Sequence, residues 1–130
     1  MTRSVRALLP AALLGAMALP MVATAGRLPH LKLVRSFPAK DTVLATAPDA
    51  VRLWMSERAD LVGTKVEVAG ADGVILPTAK PTREAAKDAP IVARFTQPVG
   101  AGRYTVSWKT MSRDGHVVNG TFAFTVTLAK

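Results

Sequence analysis

Two histidines and one aspartate are the residues of this 130-residue chain whose types and spacing suit metal chemistry. His30 and His116 are its only histidines, and His116 follows Asp114 with Gly115 between them. In a tight bend, residues two apart can point their side chains at one position. Imidazole and carboxylate groups suit Cu(II) and Zn(II), and Cu(II) stands at the top of the divalent affinity order. The spacing predicts a metal-binding bend at 114–116, which His30 joins if folding brings the first strand beside it.

On residue chemistry alone, the same bend has a plainer interpretation. Asp and Gly favour the backbone dihedrals of hairpin turns, so the pair at 114–115 is typical of an ordinary turn. One histidine and one aspartate also make an incomplete metal site, and His30 by itself resembles a surface histidine. The residues therefore leave both interpretations open, with the turn favoured.

The sequence gives less support to hydrolytic catalysis and to copper(I) binding by methionine. Ser112, Asp114 and His116 lie too close along one turn to form a nucleophile–base–orienter chain easily, and no nucleophile-elbow, phosphate-loop or paired-carboxylate motif is present. Met55 and Met111 lie far apart inside strand patterns, which indicates core or edge positions rather than copper(I) ligands. We expect no catalytic residues and no enzyme activity.

The first 25 residues have the pattern of a cleavable secretory signal peptide. A short segment with two arginines precedes an apolar run at 7–22, and small residues follow at Ala23 and Ala25. The run of roughly 16 residues is short of the roughly 20 that span a bilayer. We predict cleavage after Ala25, export to the bacterial periplasm, and a mature domain at 26–130 without a transmembrane segment.

The composition of that domain restricts its partners. The chain has no cysteine, which excludes disulfides and thiolate metal sites. Without the two signal-peptide arginines, 15 basic residues stand against 9 acidic ones. The basic residues are spread along the chain without a run, a basic helix or an aromatic platform, so we expect no nucleic-acid partner.

Periodicity predicts an all-β fold that holds the candidate residues. Seven short apolar or alternating segments are separated by Gly, Pro and Asp clusters, which is typical of a sandwich or barrel. The predicted strands are 31–35, 51–55, 66–68, 74–76, 91–95, 104–110 and 121–127. Segment 36–49 is expected to be a loop that crosses between sheets, and the short, polar segment 78–89 could hold a helical turn at 83–87. His30 then precedes the first strand, and the 114–116 bend lies between the last two.

In order and spacing, several segments resemble the CopC family of periplasmic copper-binding proteins. The most specific is an Asp-x-His turn, Asp114 to His116, which follows a Tyr-x-Val-x-Trp motif that ends at Trp108. The segments that carry the resemblance are 30–39, 48–57, 71–73, 98–108, 112–116 and 120–126. The likeness therefore spans almost the whole mature chain.

The resemblance implies a Greek-key β-sandwich, cupredoxin-like or immunoglobulin-like, with one copper(II) ion per chain at one end. In the family, an N-terminal histidine and the Asp and His of the turn bind the metal, which implies His30, Asp114 and His116 here. Nothing matches the methionine-rich copper(I) site of some members. The implied role is copper homeostasis or resistance in the periplasm, as a buffer or a chaperone that hands copper to a CopD-like inner-membrane importer.

One feature departs from the family pattern. Cleavage after Ala25 leaves four residues ahead of His30, so that the nitrogen of His30 is an amide rather than a free amine. A cut directly before His30 would put Arg27 and Pro29 where signal peptidase requires small residues. We therefore expect a weaker and more open copper site, unless further trimming occurs.

Two other functions stay open from the sequence. One is a β-sandwich without metal that docks another envelope protein, favoured if His30 and His116 lie far apart. The other is an oxidative copper enzyme like the polysaccharide monooxygenases, whose chemistry requires a free N-terminal histidine. The sequence offers neither that histidine nor a flat aromatic binding face.

Overall fold

The computed structural model describes residues 30–129, which form two β-sheets packed face to face. One sheet has four strands in the order β1-β3-β7-β6, and the other has five in the order β2-β9-β8-β4-β5. The strands are β1 Leu33–Phe37, β2 Val43–Leu44, β3 Ala50–Met55, β4 Asp60–Gly70, β5 Ile75–Leu76, β6 Thr82–Arg83, β7 Ile91–Arg94, β8 Gly102–Met111 and β9 Val117–Val126. Several neighbours in each sheet are distant in sequence, as β4 beside β8 and β3 beside β7. This arrangement confirms the predicted all-β sandwich.

The core lies between the two sheets and follows from side-chain alternation along the strands. Successive residues of a strand point to opposite faces, so every second position can be buried. In β8, Tyr104, Val106, Trp108 and Thr110 are buried while the residues between them are exposed. The opposite sheet supplies apolar side chains from β3 and β7 to the same cluster. These inward positions hold the two sheets together by apolar burial.

Two strands of the described chain were not predicted from sequence. The seven predicted strands correspond to β1, β3, β4, β5, β7, β8 and β9, whereas β2 and β6 lie in the two segments for which no strand was predicted. The helical turn considered at 83–87 does not form, and β6 ends within that segment. Each has only two residues, too few to show a period of two. β2 runs parallel to the end of β9, and β6 pairs with β7. β2 depends on a strand that is distant in sequence, whereas β6 depends on the next strand along the chain.

The strand register places the 112–116 turn at one end of the sandwich. β8 and β9 pair continuously from Gly102 opposite Val126 to Met111 opposite Val117, and the turn closes this hairpin. At the same end, Asp60 at the start of β4 pairs with Met111. Within residues 30–129, no helix has the length and apolar character needed to cross a membrane.

Candidate metal-binding site

The 112–116 segment forms a tight turn with its own backbone hydrogen bonds. The Gly115 amide donates to the Ser112 carbonyl at 3.0 Å, and the Ser112 amide donates to the His116 carbonyl at 2.9 Å. Gly115 has a φ of 90°, which residues with a Cβ rarely adopt. Asp and Gly are therefore turn residues here, as the plainer sequence interpretation expected. The turn also brings two candidate ligands together.

Asp114 and His116 contact each other directly at the tip of the hairpin. Nδ1 of His116 lies 2.8 Å from Oδ2 of Asp114. Both side chains are largely exposed, with 54% of the Asp114 side chain and 80% of the His116 side chain accessible. The convergence that the spacing made possible is therefore present, and both groups can be reached from solvent.

Ser112 orients this pair from below. It is a buried residue whose hydroxyl donates to Oδ1 of Asp114 and accepts a hydrogen bond from the His116 amide at 3.2 Å. The serine hydroxyl therefore bonds to the carboxylate and not to the imidazole. This order differs from a nucleophile–base–orienter chain, in which the serine bonds to histidine.

These hydrogen bonds keep the carboxyl group of Asp114 ionised. They lower its pKa from 3.8 to about 2, with the Ser112 hydroxyl as the largest cause and the His116 ring and amide next. Donors aimed at a carboxylate favour its charged form. At neutral pH, Asp114 is thus an anionic oxygen donor beside an imidazole, a combination that suits Cu(II) and Zn(II).

The distance between the two groups is compatible with chelation of one metal ion. Two ligand atoms at about 2.0 Å from a metal and at a right angle to each other lie about 2.8 Å apart. The Nδ1 and Oδ2 atoms have that separation already. A neutral imidazole with its proton on Nδ1 would instead present the lone pair of Nε2 to a metal ion.

His30 is not part of this pair. Within residues 30–129, no three histidine, aspartate, glutamate or cysteine side chains lie close enough together to hold a metal ion. The chain after His30 is nevertheless anchored near the same end of the sandwich. Leu31 is buried in the core, and the Lys32 amide and carbonyl bond to the side chain and backbone of Ser56. The three-residue site therefore stays a prediction, of which the structure contains two residues as a pair.

Sequence reasoning missed the role of Ser112. It weighed this residue only as a nucleophile, whereas the structure makes it the donor that positions Asp114. The available signal was its place at the first position of a turn, where serine often bonds to backbone and side-chain groups within the turn.

Comparison with known proteins identifies the family. A family model described as the CopC domain matches residues 33–127, which include the complete hairpin. The chain belongs to the CopC family. The match begins three residues after His30, so it includes Asp114 and His116 but not the first proposed ligand.

Curated relatives and solved structures agree with this membership. The chain is 33% identical to Copper resistance protein C of Escherichia coli over 105 residues, covering 75% of this chain and 81% of the relative. It is 30% identical to Copper resistance protein C of Xanthomonas campestris pv. juglandis over 113 residues, covering 81% and 86%.

Two crystal structures share the fold. CopC from Methylosinus trichosporium OB3b matches with a TM-score of 0.71 at 23% identity, covering 78% of this chain and 97% of that one. PcoC, a methionine-rich copper resistance protein from Escherichia coli, matches with a TM-score of 0.65 at 27% identity, covering 76% and 100%. In this CopC-family chain, Met55 packs against the core and Met111 is half-buried beside Gly63.

Proposed function

We propose that this chain is a periplasmic copper(II)-binding protein that holds one copper ion per chain through Asp114, His116 and His30. Membership in the CopC family indicates a copper-related function. The observation that carries the specific proposal is the contact between Asp114 and His116 at the exposed tip of the β8–β9 hairpin. An anionic oxygen and an imidazole nitrogen are held there at the separation of two neighbouring metal ligands.

The proposed role is reversible binding rather than catalysis. A copper ligand set of imidazole and carboxylate groups loads when the imidazoles are neutral and releases when they are protonated. Such a site suits a buffer or a chaperone in copper homeostasis or resistance. Transfer of copper to a CopD-like inner-membrane importer would fit the exposure of the hairpin, because a partner can reach both ligands directly.

His30 completes the proposed ligand set from the segment that precedes β1. It is exposed, and the next residue, Leu31, is buried in the core. With four residues ahead of it after cleavage at Ala25, His30 contributes an imidazole but no amine. We propose that this form binds copper(II) more weakly than a form trimmed to begin at His30. Equal affinities of the two forms, measured by competition titration, would refute this part of the proposal.

The test of copper binding combines stoichiometry with the nature of the ligands. Purified protein of defined N-terminus, established by mass spectrometry, is titrated with Cu(II) while electron paramagnetic resonance spectra are recorded. We expect one equivalent bound with nitrogen hyperfine coupling, which His116→Ala abolishes or alters. His30→Ala should reduce the coupling if its imidazole is a ligand.

A matched control exists for the carboxylate. Asp114→Asn removes the anionic donor from one Asp-Gly turn, whereas Asp72→Asn makes the same change in another, where Asp72 accepts from the Val74 amide at 3.0 Å. Only Asp114→Asn should weaken copper binding.

A β-sandwich that docks an envelope protein without metal is the second candidate. The observation that favours it is that no three-ligand group is assembled within residues 30–129. Absence of stoichiometric copper binding by the intact mature protein would replace the copper proposal with this one. Ascorbate-driven turnover of a polysaccharide would instead indicate an oxidative enzyme.

A further inference from the structure

Three arginines from separate parts of the chain line one surface cavity beside the hairpin. The cavity has a volume of about 370 Å³, and its lining residues are Arg58, Ala59, Asp60, Leu61, Arg83 and Arg113. Arg58 and Ala59 lie in the β3–β4 loop, Arg83 ends β6, and Arg113 is in the 112–116 turn. The fold therefore collects three guanidinium groups around one opening.

The described residues offset the positive charge of this cavity only in part. Among residues 30–129, the ion pairs within 4.0 Å are made by Arg52, Lys65, Arg94, Arg103 and His116, and none includes Arg58, Arg83 or Arg113. Asp60 supplies the single carboxylate of the lining, and one of its oxygens already accepts from the Val62 amide at 2.9 Å. Three guanidinium groups thus face one partly engaged carboxylate.

The side chain of Arg83 is held at the cavity wall, close to the other charged groups. It is half-buried and donates one hydrogen bond to the Ala59 carbonyl at 3.0 Å, which fixes the side chain at the cavity wall. Burial lowers the pKa of its guanidinium and the charge of Arg58 lowers it further, whereas the charge of Asp60 opposes both effects. Arg58 and Arg83 also line the neighbouring cavity of about 380 Å³, whose other charged lining residues are Arg35, Lys87, Glu57 and Asp88.

We infer that the Arg58–Arg83–Arg113 cavity binds a small oxyanion, a carboxylate or a phosphate. Guanidinium groups match the paired oxygens of both anions, and such charge-assisted hydrogen bonds are stronger than neutral ones. An anion would relieve the repulsion among the three like charges. Because Arg113 precedes Asp114, the bound anion would lie next to the hairpin that carries the proposed copper ligands. The oxyanion site itself does not depend on copper binding.

The test uses copper-free protein and two probes, succinate and inorganic phosphate, at constant ionic strength. Binding is followed by backbone amide shifts in a nitrogen–proton correlation spectrum. We expect saturable shifts at 58–61, 83 and 113 with at least one probe. The probe that binds more tightly identifies the source of the oxyanion as carboxylate or phosphate.

Charge-matched variants separate a site from the general attraction of a basic protein. Arg58→Gln and Arg113→Gln should each weaken binding about tenfold or more, the usual effect of losing a charged hydrogen-bond partner. Arg103→Gln removes the same charge at the opposite end of β8, where the Arg103 side chain lies 4.0 Å from Asp41, and should change affinity less than about twofold, the factor left by screened, distant charge. Arg83 is kept, because its bond to the Ala59 carbonyl makes it part of the structure.

Two results would overturn the inference. Absence of saturable shifts with both succinate and phosphate would show that the cavity takes neither anion. An equal loss of affinity in Arg103→Gln and Arg58→Gln would show that binding reflects net charge alone. Copper binding enters neither measurement, so this test can fail while the copper proposal holds.

Discussion

Replacement of Ser112 by alanine separates the positioning of Asp114 from its charge. The Ser112 hydroxyl is the largest of the contacts that lower the pKa of the Asp114 carboxyl group from 3.8 to about 2. Its loss should raise this pKa toward 3.8, while the contacts from His116 keep it below that value. The pKa of about 2 in the wild type and a variant pKa of at most 3.8 both lie far below neutral pH. Asp114 therefore stays ionised at pH 7 in either protein, and charge cannot account for a change in copper binding there.

The expected effect at neutral pH comes from looser positioning. Removal of a hydrogen-bonding partner that orients a metal ligand costs about 10- to 100-fold in metal affinity. We expect a Ser112→Ala loss of that size at pH 7. At about pH 4, the Asp114 carboxyl group of the variant should begin to take up a proton that the wild-type group, with its lower pKa, does not. The sign follows from the depressed pKa: the carboxylate is present above it and is lost as the pH falls through it.

Two assays measure the change in copper affinity and the change in the Asp114 pKa separately. A competition titration with a chromophoric chelator measures copper affinity, and carbon-detected nuclear magnetic resonance follows the titration of Asp114. Ser107→Ala is the matched control, because Ser107 is exposed on β8, the strand that leads into the turn, and forms no side-chain hydrogen bond with the described residues. Copper affinity within about twofold of wild type would refute the positioning role, since partners of this kind typically contribute more. An Asp114 pKa that stays at about 2 in the variant would refute the assignment of its cause.

Two further predictions concern the scaffold. A Cβ added at Gly120 would lie 2.8 Å from Trp108, so Gly120→Ala should lower the free energy of unfolding by about 1–3 kcal/mol in a denaturant titration. Gly100→Ala is the control, since its added Cβ would be 4.0 Å from the nearest atom, and an equal loss in both variants would contradict the steric explanation. A hydrogen bond from Arg52 lowers the pKa of the Asp49 carboxyl group below 3.8. Asp49→Asn should therefore lower the free energy of unfolding by about 0.2–1 kcal/mol at pH 7, as exposed pairs do, and the difference should vanish as the pH falls through the folded pKa. A difference that does not change as the Asp49 carboxyl group titrates would show that the carboxylate charge is not its source.

The sequence alone predicted the features that depend on neighbours along the chain. Alternation in 104–110 and 121–127 predicted strands with one buried face, and β8 and β9 have that pattern. The spacing of Asp114 and His116 predicted that a tight bend could bring them together, and the turn does so. Both outcomes depend on contacts within a few residues, where backbone geometry restricts the alternatives.

Features that require distant segments were decided by the tertiary structure. The two-residue strand β2 exists because the distant strand β9 offers an unpaired edge to it, and a pattern of two residues cannot reveal this. The same holds for Ser112, whose burial beneath the turn makes it a donor to Asp114 rather than an exposed hydroxyl. Loop segments carry little periodic information, so their pairing is visible only after the sheets have formed.

The position of the positive charges also depends on the tertiary structure. By sequence, the arginines are spread along the chain and predict a solvated basic surface. In the fold, Arg58, Arg83 and Arg113 meet at one cavity, because β3, β6 and β8 all end or turn at that side of the sandwich. Composition determined that the protein is basic and without thiols. Only the packing of the two sheets determined where its positive charges converge, since residues separated by 25 to 55 positions become neighbours only through strand pairing.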